Sequence, residues 1–546
     1  MDKPAVRAVL EQIAASLALK GDNPFRIRAF ENAASAIATY PGDLAEAVQS
    51  GALAELDGVG KATLEIVREL LSRGRSTVLD ELRNEVPLGL VEMLKIPGLG
   101  VQKVRQIHEQ LHVTTLAELE VAARDGRLAE MPRFGAKTAA NVLKGIAFLK
   151  RSTEFRLFYH ARAEAVGVQQ ALAALPGVRR VEIAGSLRRR CEIIRDLDFV
   201  VEYVGDESRD ELVGRLGDAS RVDVVLATPG DFGLAWVRAT GSEAHWEELL
   251  ALRQGRGVKL DSSGTFPDEE RVYRVLGLAW IPPELREGAG ECAAAAQGKL
   301  PRLIDAPDIR GFAHCHSNYS DGTVTIAEWA EAAKEAGYEW IGLSDHSQSA
   351  PFAMGLRPDA IGRQHAEIDQ VNQQISGIRV LKGVEADILA DGRLDYDQAT
   401  LDRFDFVIGS IHSRFGLEQA EMTQRVLTAM DDPHLAILGH PTGRLLLSRE
   451  PYPLGLDAVF RKAAERGIAI EVNADPHRLD LDWRLVRQAR ALGVRFSIGP
   501  DAHSVAGMAN MEFGLGIARK GWLEATDVWN TLSADDFLAA ARRRLP

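Results

Sequence analysis

From about Ile309 to the C-terminus, the chain alternates short apolar runs with stretches of helical period. The runs are Gly311 to Ala313, Trp340 to Asp345, Val380 to Val384, Phe406 to Ile411, Ala436 to Gly439, Ile468 to Asn473 and Val494 to Pro500. Between them Ile326 to Ala336, Leu456 to Arg466 and Trp483 to Leu492 are apolar on one helical face. Alternating βα units of this kind predict a barrel of parallel strands. Further upstream, Asp196 to Val201 and Arg221 to Leu226 read as two paired strands, with Asp196 and Asp198 on one face. The first part of the chain predicts helices, among them Leu64 to Leu71, Val104 to Leu111 and Ala139 to Phe148.

With 546 residues the chain is too long for one domain, and two to four are expected. Its 46% hydrophobic and 26% charged residues are ordinary for a soluble protein. No apolar run approaches the ~20 residues that span a bilayer. Met1-Asp2-Lys3-Pro4 begins no signal peptide, and Cys191, Cys292 and Cys315 lie too far apart for a disulfide framework. A cytoplasmic monomer with no membrane partner is expected. The net charge of −13 argues weakly against nucleic acid, although local charge decides binding.

Six of the seven runs deliver metal-type ligands from their C-terminal ends: His314 with His316, His346, Glu385, His412, His440, and Asp501 with His503. Asp321 joins them from Ser320-Asp321-Gly322, and the seventh run ends in the polar Asn473. A single histidine after a strand is as often a hydrogen-bonded core residue. All of them at one end of successive strands point to a metal site at the barrel rim. Imidazole and carboxylate together suit Zn²⁺, Mn²⁺ or Fe. Nine ligands exceed the needs of one tetrahedral ion, so two or three ions are expected. Such clusters clamp the attacking and leaving oxygens of a phosphate ester.

These stretches resemble the PHP (polymerase and histidinol phosphatase) family of metal-dependent phosphoesterases. The likeness is carried by His314-Cys315-His316, Ser320-Asp321-Gly322, Ser344-Asp345-His346-Ser347, Gly383-Val384-Glu385, Ser410-Ile411-His412, Gly439-His440-Pro441-Thr442-Gly443-Arg444 and Asp501-Ala502-His503. The resemblance implies a (β/α)7-type barrel, with all nine ligand positions filled by the family's residue types.

Near the N-terminus, Leu56-Asp57-Gly58-Val59-Gly60-Lys61 recurs as Ile96-Pro97-Gly98-Leu99-Gly100-Val101-Gln102-Lys103 and, degenerately, as Met131-Pro132-Arg133-Phe134-Gly135-Ala136-Lys137. Each copy precedes an amphipathic helix. A glycine turn lets the next helix present free N–H groups, and Lys61, Lys103 and Lys137 add charge, a grip on phosphate without sequence preference. One copy would merely separate packed helices; three resemble helix-hairpin-helix elements and point to DNA. Asn23 to Phe30 mixes basic and aromatic residues in a way that suits a DNA end or gap.

In the middle, Gly185-Ser186-Leu187-Arg188-Arg189-Arg190 precedes Asp196-Leu197-Asp198, and Asp223 follows. Three carboxylates from adjacent strands hold two ions, Mg²⁺ or Mn²⁺, for nucleotidyl transfer, and Ser186 and Arg189 suit a triphosphate. The whole chain then resembles a bacterial family X DNA polymerase with a C-terminal PHP domain. Asn23 to Arg28, Thr240-Gly241-Ser242 and Pro282 to Glu287 also match that family. The resemblance implies a multidomain α and α/β protein: a helical helix-hairpin-helix region, an α+β nucleotidyltransferase palm with thumb, and the barrel. Implied boundaries are 1–83 (DNA-binding), 84–152 (fingers), 153–230 (palm), 231–290 (thumb), 291–308 (a linker allowing the halves to move) and 309–546 (PHP). Asp196, Asp198 and Asp223 would bind the polymerase metals, and Ser186, Arg189, Gly241 and Ser242 the dNTP. Glu385 and His440 would serve catalysis in the barrel, which would remove nucleotides from 3′ ends.

Four departures bear on the polymerase half. Arg195 stands where the family has a glycine before Asp196, the segment between Asp198 and Asp223 is short, and Arg238-Ala239 replace an aromatic. Ile66 stands where lyase-active members carry a lysine, so lyase activity is not expected. The leading expectation is a DNA-repair enzyme that fills gaps and carries a metal-dependent 3′–5′ exonuclease, acting on gapped, nicked or primer-template DNA. The alternatives are a nuclease that uses a degenerate polymerase core as a clamp, a histidinol-phosphatase-like enzyme of small molecules, and a non-catalytic DNA-end binder.

Overall fold

The computed structural model describes residues 3–40, 44–54, 56, 58–96, 98–205, 209–216, 221–257, 260, 265–350 and 353–542. The chain forms two compact units, Met1–Glu154 and Phe155–Pro546.

The first unit is helical and has two apolar cores. Leu10, Ile13, Phe30, Ile37, Leu64 and Val67 belong to one, and Met93, Val104, Ile107, Leu119 and Val142 to the other. The three helices expected after the glycine turns run Lys61–Arg73, Val101–Leu111 and Ala136–Glu154, each longer than the apolar pattern alone predicts. Their added first turns carry Lys61, Lys103 and Lys137, polar residues that hydrophobic periodicity does not register. Asn23 caps the helix Pro24–Thr39 by accepting from the Phe25 N–H, with proline at the first helical position.

The second unit opens with a palm. Strands β1 (Arg156–Leu157) and β3 (Ile193–Ile194) form a small antiparallel pair. Strands β2 (Val178–Ile183), β4 (Leu197–Tyr203) and β5 (Val222–Ala227) form a three-stranded sheet in the order β2-β4-β5. β4 and β5 are parallel, and Asp198 sits opposite Asp223 in register. The helices Phe232–Thr240, Glu243–Arg256 and Glu269–Val275 build a thumb around Val237, Leu249, Val272 and Tyr273.

The stretch 291–308, expected as a linker, is part of that thumb. It contains the helix Glu291–Ala296, and Cys292, Ala295 and Leu303 lie in the thumb core. Of the Gly and Ala that suggested flexibility, Ala295 is buried in that core and Gly298 (φ +66°) makes the turn that follows the helix. Palm, thumb and barrel form one unit, held by Arg162 to Glu512, Arg519 to Glu284 and Arg444 to Glu192.

The barrel strands are β6 (Gly311–Cys315), β7 (Trp340–Leu343), β8 (Arg379–Asp387), β9 (Phe406–Ser410), β10 (Leu435–Leu438), β11 (Ala469–Asn473) and β12 (Phe496–Gly499). They pair in chain order, all parallel. A bridge from Cys315 to Ala502 closes the ring. Six of the seven strands are buried at every residue, as a parallel sheet covered by helices requires. Alternation sorts their residues. Phe312, Ile341, Val407 and Ile470 pack under the outer helices, whereas Trp340, Leu381, Phe406, Ile408 and Ala469 join Phe537 of the last helix, Ala534–Arg542. Leu381, Gly383 and Glu385 share a face, so an apolar layer at one end of the barrel gives way to ligands at the other.

Candidate active sites

All nine barrel residues expected as ligands come together. Four overlapping groups have ligand atoms within 4.8 Å of one another: His316, Asp321, His346 and His503; His314, Glu385 and His440; His314, His316 and Asp501; and His346, Glu385 and His412. Glu385 joins two groups, and its oxygens lie 3.0 Å from His440 Nε2 and 2.9 Å from His346 Nδ1. His314 and His316 do not enter as two residues of one flat strand. A register shift lies between Ala313 and Cys315, and His314 has φ +75°. Asp501, φ +49°, is bent likewise. Such backbone strain persists where the surrounding packing over-determines it, as at a ligand site.

The donor set fits a metal cluster. Among the described residues His314 Nε2, both His316 nitrogens and His440 Nδ1 are buried without a hydrogen-bond partner. Buried polar atoms left unpaired cost about 1–3 kcal/mol each, and ions at their meeting point remove that cost. The electrostatics agree. Burial would lower His412, yet Glu385 and Asp387 push it up to about 10. Burial, His503 and His346 together press His316 down to about 3. Burial would raise Asp501, but His314, His316 and Arg478 hold it well below the carboxylate range. Groups so close with such opposed proton demands exchange protons for metal readily.

In the palm, the structure gathers some of the expected residues in one cleft of about 480 Å³, lined by Gly185, Ser186, Arg189, Asp196 and Asp198. Asp196 precedes β4 instead of lying in it. Burial, then Asp223 and Asp196, raise Asp198 to about 6, the result of like charges in a confined space. Gly185 has φ +60°, and a Cβ there would collide with the Asp198 carboxylate. Arg195 Nε lies 3.0 and 3.1 Å from the two Asp196 oxygens. Arg189 is anchored, donating to Glu287 Oε1 (2.9 Å) and to the Thr240 carbonyl (2.8 Å). Gly241 and Ser242 are outside the cleft lining. Gly241 ends one thumb helix, and the Ser242 hydroxyl caps the next by accepting from the His245 N–H.

In the helical unit, Gly58 (φ +91°) and Gly98 (φ +83°) take the left-handed turn, while Arg133 (φ +70°) fills that position in the degenerate third copy. Gly60 and Gly100 cap the following helices. Among the described residues nothing lies within 4 Å of a Cβ built at Gly60, Gly98, Gly100 or Gly135. Gly98 is required by its left-handed φ; at Gly60, Gly100 and Gly135 packing does not demand glycine, and the bare backbone leaves room for close approach by a phosphate. Lys103 Nζ donates to the Gly98 carbonyl at 2.9 Å, on the same turn.

The comparisons with known proteins follow these divisions. Residues 1–76 match the helix-hairpin-helix domain, 90–147 the SAM-like helix-hairpin-helix tandem, 235–287 the DNA polymerase beta thumb and 313–475 the PHP domain. Bacillus subtilis DNA polymerase/3′-5′ exonuclease PolX is 34% identical over 573 aligned residues, covering 100% of both chains. This chain belongs to the family X DNA polymerases that carry a PHP domain. Probable phosphatases match a smaller share of the chain. One from Thermoanaerobacter is 26% identical over 38% of this chain and 84% of its own, and one from Syntrophotalea carbinolica is 31% identical over 29% and 63%.

This family X chain has functional residues that its sequence did not single out. Glu471 and Asn473 share a face of β11, the one apolar run credited with no ligand. Glu471 Oε1 lies 2.5 Å from His314 Nδ1, and its Oε2 accepts the His440 N–H at 2.6 Å. Asp387 does the same for His412 Nδ1 at 2.6 Å. A carboxylate on one ring nitrogen orients the other toward metal. Period-two spacing from Asn473 back to Glu471, and from Glu385 on to Asp387, was the available signal. The buried Asp345 accepts from Ser317 and from Ser320 Oγ (2.5 Å), holding the loop that brings Asp321 in. Arg478 Nε, 3.5 Å from Asp501 Oδ2, adds a cation beside the cluster.

Proposed function

We propose that the chain is a cytoplasmic DNA-repair polymerase that extends primer 3′ ends in the palm cleft and shortens them in the barrel. The observation that carries this reading is the convergence of nine metal-type side chains at one barrel rim, together with a cleft lined by Asp196 and Asp198 whose neighbouring strand places Asp223 opposite Asp198. His314, His316, Asp321, His346, Glu385, His412, His440, Asp501 and His503 would hold two or three ions, Mn²⁺ or Zn²⁺ by the nitrogen-rich donor set. Asp196, Asp198 and Asp223 would hold Mg²⁺ or Mn²⁺. Bound divalent ions supply charge neutralisation at the phosphate and activation of the attacking oxygen.

The chain's own residues do the rest. Glu471 and Asp387 fix the tautomers of His314 and His412, and Arg478 is placed to steady a substrate phosphate. Gly58, Gly60 and Lys61, Gly98, Gly100 and Lys103, and Gly135 and Lys137 would track the DNA backbone. A nuclease that uses the palm as a clamp is the second reading. It is favoured by Arg195 on Asp196 and by the anchoring of Arg189.

Primer extension on gapped DNA with Mn²⁺ and four dNTPs, in Glu385→Ala, separates the two. Lengthened primer is expected. Shortening by the wild type, with no extension by the variant, would leave only the nuclease. Turnover of a generic phosphomonoester in preference to labelled DNA would favour the phosphatase reading.

A further inference from the structure

The palm cleft is not walled by the palm alone. Arg484, from the barrel helix Trp483–Ala491, shares its lining with Ser186, Asp196 and Asp198. Its side chain is 63% exposed, and its Nη1 lies 3.0 and 3.2 Å from the Asp482 oxygens. The guanidinium carbon stands 4.4 Å over the Trp483 ring. Asp482 is also held by Arg444 Nη1 at 3.1 Å, and Arg444 Nη2 reaches 3.4 Å from Glu192, a buried palm residue that lines the same cleft. Arg484 is thus presented to the cleft by a barrel element docked on the palm.

The cleft's other guanidinium groups are held, Arg189 in a buried pair and Arg195 on Asp196, an expected ligand of the palm ions. Arg189 spends its Nε and Nη1 on Glu287 and the Thr240 carbonyl, and the fully buried Lys520 braces the same assembly through the Arg189 carbonyl (3.1 Å) and Glu287. Arg195 is paired with Asp196. A triphosphate tail needs a guanidinium that can turn to it, and Arg484 meets that need. An exposed ion pair such as Arg484–Asp482 is worth only about 0–1 kcal/mol, so exchanging it for phosphate costs little. Asp482 keeps Arg444 as partner when Arg484 leaves. Planar guanidinium binds phosphate by two parallel N–H bonds.

We propose that Arg484 binds the terminal phosphates of the nucleoside triphosphate in the palm cleft, so that the barrel completes the polymerase site. This rests on reading the cleft as the nucleotide site.

The test is a fluorescence titration of the full-length protein with a mant-labelled deoxynucleoside triphosphate and Mn²⁺, compared with the labelled monophosphate. Arg484→Ala is expected to weaken triphosphate binding by about tenfold or more, the usual worth of a charge-assisted hydrogen bond. Monophosphate binding and the melting temperature should hold, and Arg484→Lys should recover part of the loss. In primer extension the same variant should raise KM for dNTP while kcat holds. Wild-type binding matched by Arg484→Ala overturns the proposal and leaves the cleft assignment standing. No triphosphate binding by the wild type overturns both. Equal loss of mono- and triphosphate with a lowered melting temperature makes Arg484 a structural prop and also overturns the proposal.

Discussion

His314 is gripped from two sides, by Glu471 on Nδ1 and by the ligand cluster on Nε2. Replacing Glu471 with glutamine removes the charge that sets the tautomer but keeps the shape. A loss of about 10–100-fold in metal affinity or activity is expected, read as bound metal after dialysis and as exonuclease rate. A second residue-scale feature lies in the thumb. Glu269 receives Arg286 at 2.5 and 2.9 Å and Arg188 at 2.6 and 2.8 Å. Burial would raise Glu269, but the two guanidinium groups hold it down, to about 2. A depressed carboxylate stabilises the fold above its unfolded pKa, and that contribution disappears as pH falls from about 4.5 toward about 2. Glu269→Gln should cost about 3 kcal/mol at neutral pH. Urea midpoints of wild type and variant should converge across that acid window.

The helix-hairpin-helix turns act as elements, because each works through a run of backbone N–H groups. Lys103→Ala should flatten the slope of log affinity against log salt by about 0.9. Gly100→Val, at φ −80° and with nothing within 4 Å of its Cβ, should weaken DNA binding well beyond the small drop in melting temperature that loss of a glycine cap brings. Binding isotherms at several salt concentrations check both. These turns were legible because the Gly-x-Gly pattern repeats, and the barrel strands because parallel strands are continuous apolar runs. The helix starts were less so, since caps and first turns are polar. The bent backbone at His314 and Asp501 had no signal in hydrophobic pattern at all, since it arises from how the strand ends meet.

Across the whole molecule, metal and fold are linked. Ions that bind the assembled barrel rim and not the unfolded chain stabilise it by about 2.7 kcal/mol at a hundredfold excess over Kd. Chelation should therefore lower the melting temperature of the Phe155–Pro546 unit and abolish shortening of DNA, and Mn²⁺ should restore both. Calorimetry with and without chelator measures it. The stretch 291–308 shows what composition conceals. Gly and Ala read as a linker, yet Cys292 and Ala295 fix the helix Glu291–Ala296 in the thumb core, with Leu303 beyond it. By itself the sequence determined the succession of helical, palm and barrel regions, the nine candidate ligands and the paired aspartates, because these depend on local period and residue type. Only the tertiary structure decided that Arg189 is anchored, that Glu471 and Asp387 stand behind the histidines, and that Arg484 of the barrel enters the palm cleft. Those contacts join residues far apart in the chain, and their partners are set by how strands and domains pack.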